Sequence, residues 1–197
     1  MDKQEEFLRA DFEQCHEWMR HYDSSFTSMT NFYYTGFVAI LTASYVLYSR
    51  FPASVEASIG ATLLLFFGAV LSPIFLYWLI KNRIYFTKMA RWVNEIRETY
   101  IRTEPLGIKN RSNIYTNHTS PHYFNPGSTH LIFLYFTALC GSILAALVYT
   151  SILGTAALRM GKTFVFSFWM PLLITVGVFV VYMFWIVFYL RSRELKK

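Results

Sequence analysis

No Asp, Glu, Lys or Arg occurs at positions 57–80, 112–158 or 163–190 of this 197-residue chain, and residues 24–49 are equally free of charge. A helix that crosses a bilayer needs about 20 mainly apolar residues. The sequence therefore predicts four spans, at 29–49, 57–80, 130–153 and 164–190. With 54% hydrophobic and 19% aromatic residues, the chain is too short to cover four such helices as a soluble core. The expected fold class is all-α, a polytopic membrane protein whose first two spans carry cytosolic helical extensions.

Those extensions are read from apolar spacing. The segment "HYDSSFTSMTNFYYTGFVAI" joins a charged stretch, residues 1–28, to the first span with no Gly or Pro before Gly36. Through the join runs a stripe of Leu8, Phe12, Cys15, Met19, Tyr22, Phe26, Met29 and Tyr33, alternating steps of four and three as a heptad seam does. After the second span, "KNRIYFTKMARWVNEIRETYIR" repeats the pattern with Phe86, Met89, Val93, Ile96 and Tyr100, widened by Trp92. Residues 1–28 hold seven acids against three bases; residues 81–102 hold six bases against two acids. Opposite charge and matching seams predict a short antiparallel coiled coil, a stalk formed within one chain or between neighbouring subunits. Ser24 and Ser25, after Asp23, offer a competing break, since serine is a good helix cap.

Lys and Arg set the orientation. Fifteen lie in residues 1–28, in the connection after span 2 and in the tail 191–197; only Arg50, Arg159 and Lys162 lie on the other face. Both termini and the 81–129 connection are expected in the cytosol, in a plasma (inner) membrane, with the basic tail against anionic headgroups of the inner leaflet. Within that connection, residues 103–129 carry three prolines and two glycines and read as an irregular interfacial loop. The acidic segment before span 1 does not fit a cleaved signal peptide. Cys15 and Cys140 are expected to be free apolar fillers. Asn110 and Asn117 match the glycosylation pattern but are expected to face the cytosol.

Charge-free spans argue against proton- or ion-coupled transport, which places an ionisable group near the midplane. Small residues mark expected packing faces: Gly68 and Ser72 in span 2, above a proline, Pro73, expected to kink it; and Ala138, Ser142 and Ala146, flanked by Gly141 and Ala145, in span 3. Span 4, rich in Phe, Val and Trp, is expected to face lipid. His118, His122 and His130 could hold zinc, but Pro121 spoils a shared helical face and no thiol or carboxylate is near in sequence. Two Arg-x6-His matches, Arg9 with His16 and Arg111 with His118, resemble the loose signature of HEPN-type ribonucleases. No catalytic, cofactor-binding or metal-binding residue is assigned, no cofactor is expected, and the positive charge is read as a membrane surface before a nucleic-acid one.

In layout the chain resembles small four-helix bacterial inner-membrane proteins of phage-defence systems, the Kiwa membrane subunit and CRISPR-associated membrane accessory proteins. The features that carry this are "ARWVNEIRETYI" directly after span 2 and a Pro-rich loop re-entering at "NPGSTHLIFLYF". The resemblance implies a non-enzymatic membrane component that oligomerises and either anchors a cytosolic effector or perturbs the membrane on infection. The function expected from the whole sequence is a homo-oligomeric membrane module whose cytosolic stalk docks a protein partner. Alternatives are a pore or depolarising effector, gated by dewetting, and a membrane-tethered HEPN-like ribonuclease.

Overall fold

The computed structural model describes residues 3–101, 117, 119–162 and 168–195, with backbone alone at 3–5, 100 and 101. Within these the fold is four helices and no strand: α1 (Lys3–Arg50), α2 (Val55–Ile101), α3 (Thr129–Arg159) and α4 (Trp169–Glu194). Three of them, α2, α3 and α4, are long and apolar enough to cross a membrane. The apolar half of α1 is diluted by Tyr33, Tyr34, Thr42, Ser44, Tyr45 and Tyr48, so length and composition alone do not mark it as a span.

α1 is one unbroken helix of 48 residues, roughly 72 Å at about 1.5 Å per residue. Ser24 and Ser25 do not cap it. Thr27 instead donates to the Asp23 carbonyl (3.0 Å), and Asn82 of α2 donates to Ser25 (3.3 Å), so the polar residues at the join are absorbed without ending the helix. α2 is equally continuous, and Pro73 lies inside it. Between them a turn of residues 51–54 suffices, because Ser54 accepts the Ala57 N–H (3.1 Å) and starts α2 two residues before the expected boundary.

α3 overruns its expected end at 153 by six residues, to Arg159. Its stop is Gly161, in the left-handed region at φ 62°, with Gly161 N–H bonding the Leu158 carbonyl and Lys162 N–H the Ala157 carbonyl. This is a Schellman ending, available to glycine without steric cost. α4 tolerates Pro171 because first-turn N–H groups have no helical partner in any case. The expected start of the fourth span, 164–167, lies outside the described residues, as do most of the loop 103–129 and the last two residues of the tail.

The helices pack mainly in chain order: α1 along α2, α2 against α3, α3 against α4, with slight contact between α1 and α3. The main core gathers where the apolar helices meet the charged extensions. Phe26, Leu76, Leu79, Ile80, Leu131, Leu134, Ile186 and Leu190 form it, almost wholly buried. α4 buries only Ile186 and Leu190 and leaves a long apolar face uncovered.

Candidate functional site

The charged halves of α1 and α2 run antiparallel from the core outward, and both belong to the same chain. Tyr22 stacks on Tyr85 (centroids 5.5 Å), the Trp92 indole N–H donates to Asp11 (2.6 Å), and Arg97 lies over Phe12 (5.6 Å) while donating to His16 Nε2 (3.3 Å). Of the seam residues, Cys15, Phe26, Val93 and Ile96 are buried, and Leu8, Phe12, Met19, Tyr22, Phe86 and Met89 are half-buried. The side chain of Tyr100 lies outside the described residues.

Arg97 can only donate, so His16 Nε2 must be unprotonated and its proton sits on Nδ1, which is buried with no hydrogen-bond partner. Burial, then Arg97 and Arg20, push the His16 pKa down. The arginine beside His16 is thus Arg97; Arg9 instead pairs with Glu13 at 3.3 Å. Arg111 and His118, the second Arg-x6-His match, lie outside the described residues.

The simple picture of a basic α2 meeting an acidic α1 needs correction. Arg83, Arg91 and Asn94 recur at steps of eight and three, a second face of α2, and this face binds a loop. Arg83, almost wholly buried, donates to the carbonyls of His122 (2.9 Å) and Tyr123 (3.4 Å). Asn94 donates to the carbonyls of Asn117 and Ser120. Arg91 donates to the Pro121 carbonyl (3.0 Å), lies 4.3 Å from the Tyr123 ring and pairs with Glu194 at the end of α4 (2.7 Å). Glu194 also accepts the Tyr123 N–H and stands 3.8 Å from His122. Burial acts to raise the Glu194 pKa, but the hydrogen bonds from Arg91 and the Tyr123 backbone outweigh it and hold the carboxyl below its ordinary value. A buried arginine must saturate its donors, and loop carbonyls do so without a second buried charge. The result is a clasp joining α2, the loop and α4.

Small residues in the apolar region pack helices of the same chain. A Cβ on Gly68 would lie 2.9 Å from Ile40 Cδ1 and 3.1 Å from Leu144 Cδ1, where α1, α2 and α3 converge. A Cβ on Gly141 would lie 2.8 Å from Ser72 Cβ and 3.2 Å from Tyr182. Ala138, Ser142 and Ala146 are buried along the same helix, and Ala145 is half-buried.

Hydroxyls stitch these contacts. Tyr33 bonds Ser72 (2.9 Å), and toward the 51–54 turn Tyr48, Ser58, Thr62, Ser151 and Thr155 form one connected network across α1, α2 and α3. At the core, His130 Nε2 meets Asp23 (3.0 Å) with Phe26 against its ring. His122 and His130 therefore face different carboxylates, and among the described residues no three His, Cys, Asp or Glu side chains converge as metal ligands. Neither the clasp, the hydroxyl network nor the Asp23–His130 pair was anticipated. The one available signal was the i, i+8, i+11 spacing of Arg83, Arg91 and Asn94.

No protein family, curated protein or solved structure matches the chain.

Proposed function

We propose that the protein is a non-enzymatic, multi-pass membrane module, homo-oligomeric, with both termini in the cytosol, whose stalk docks a cytosolic protein. The fourth span is the 29–49 half of α1. It lies along α2 over its whole length and turns Phe32, Val38, Tyr45 and Val46 outward, so a bilayer around α2 also surrounds it.

The observation that carries the docking role is a ridge of exposed aromatics on the stalk. Trp18 and Trp92 are 44% and 42% exposed, and Trp18, Tyr22 and Tyr85 stack in series beside them. Counted from residues 29 and 80 at about 1.5 Å per residue, the two tryptophans stand roughly 16–18 Å beyond the hydrocarbon. The headgroup layer is only about 5–8 Å thick on each side, so these rings are beyond the reach of an interfacial aromatic belt. Exposed Trp and Tyr on a rigid helical hairpin are what the centre of a protein interface uses. The resemblance to membrane subunits of defence systems is consistent with an effector as the docked protein.

The hydroxyls of Tyr33, Tyr48, Ser58, Thr62, Ser72, Ser151 and Thr155 bond to one another between helices, which supports a scaffold over a hydroxyl-lined pore. The test is site-specific photo-crosslinking in cells from position 18, with position 181 on α4 as the lipid-facing control. A discrete protein adduct from 18 that disappears with Trp92→Ala is expected. Ion conductance by the purified protein in liposomes, with no such adduct, would favour the pore.

A further inference from the structure

Lys81 and Arg193 approach each other from different helices, where α2 and α4 leave the apolar region. Arg193 donates to the Tyr189 hydroxyl at 3.1 Å and its guanidinium lies 5.2 Å from the same ring. Lys81 Nζ sits 5.4 Å from the centre of the Tyr77 ring, and its charge acts on both Tyr77 and Tyr189. Two cations thus converge on one phenol. Among the described residues neither has a carboxylate within 4 Å, and Glu194, next to Arg193 in sequence, is turned away to Arg91 and the Tyr123 N–H.

Like charges gathered at one neutral hydroxyl repel unless an anion lies between them. The place also selects the anion. Lys81 is the first residue past the 57–80 span and Arg193 stands less than one turn past 190, the depth at which lipid phosphates lie. Tyr77 and Trp78 are partly exposed beside them, suited to a glycerol backbone and the upper acyl chain.

We propose that Lys81, Arg193, Tyr77 and Tyr189 form a binding site for the phosphate of an anionic phospholipid in the leaflet on the stalk side. The site rests on the membrane reading above and adds to it a headgroup class and a location. The two cations clamp the phosphate oxygens, and the tyrosine hydroxyls hold both cations in place before the lipid arrives. Arg191, on the other side of the α4 terminus, lies over Phe124 and is not part of the clamp.

The test is native mass spectrometry of the full chain in detergent, titrated with phosphatidylglycerol or phosphatidylcholine, with inorganic phosphate as competitor. Retention of phosphatidylglycerol over phosphatidylcholine is expected. Lys81→Gln with Arg193→Gln should weaken it about twenty-five-fold, each cation at an anionic surface contributing roughly fivefold. Arg20→Gln with Lys88→Gln removes the same charge elsewhere on the stalk side and should cost less than about threefold. Tyr189→Phe, which removes only the shared hydroxyl, should give an intermediate loss at wild-type melting temperature. Equal losses from both charge pairs, or unchanged affinity in Tyr189→Phe, would overturn the site. So would displacement of the lipid by millimolar inorganic phosphate, which would make this a free-phosphate site. Release of the protein from membranes by alkaline carbonate would instead overturn the membrane reading itself.

Discussion

Gly141 of α3 faces Ser72 of α2 so closely that a Cβ added to the glycine would stand 2.8 Å from the serine Cβ. Ser72 cannot retreat freely: its hydroxyl is held between Tyr33 and the Gly68 carbonyl (2.8 Å). Helices that approach this nearly gain dispersion contacts that a side chain would prevent. Gly141→Leu should therefore destabilise the bundle by about 3 kcal/mol or more, whereas Val181→Leu on the open face of α4 should change stability by less than about 0.5 kcal/mol. Thermal melting in detergent reads both, and the reverse ranking would refute these faces.

The stalk register makes a second prediction. Tyr22 opposite Tyr85 and Asp11 near Trp92 bracket Met19 and place it nearest Met89, with Ile96 about two turns away. With Cys15 and Cys140 replaced, cysteines at 19 and 89 should crosslink within one chain, at a rate independent of protein concentration. Cysteines at 19 and 96 should not. Crosslinking only between chains would show that the seam pairs subunits.

Acid should loosen the same stalk. His16 has its pKa lowered when folded, so the unfolded segment binds the proton more readily. Stability contributed by neutral His16 is full above the ordinary histidine value of about 6.5 and falls as pH drops from there toward the folded pKa. The hydrogen-exchange protection factors of residues 8–20, corrected for the intrinsic pH dependence of exchange, should fall between neutral pH and pH 5. In His16→Phe that pH dependence should flatten.

The clasp responds at lower pH. Glu194 is depressed in the folded protein, so its contribution is complete above the ordinary carboxylate range and is lost as pH falls through the folded value below about 4.3. Glu194→Gln keeps the shape but loses the charge opposite Arg91. It should lower the melting temperature at pH 7 by an amount corresponding to about 1–3 kcal/mol and respond less to acid than the wild type. Equal acid responses in the two proteins would remove Glu194 from the clasp.

What the sequence by itself determined is helical and local. Charge-free runs predict apolar helices at 57–80 and 130–153, and the stripe from Leu8 to Tyr33 predicts a helix that does not stop at Asp23. α1 and α2 have that continuity. Periodicity reports which side of a helix is apolar, because side chains repeat every 3.6 residues wherever the helix is placed. It does not report what a side faces. Only the tertiary structure decided that Arg83 and Arg91 turn to the carbonyls of residues 121–123 while Arg97 turns to α1, and that Gly141 meets Ser72 of the same chain. The Asp23–His130 contact spans 107 residues and belongs to no repeat. Backbone carbonyls carry no sequence signal, and polar partners distant along the chain are chosen by which groups the fold buries together.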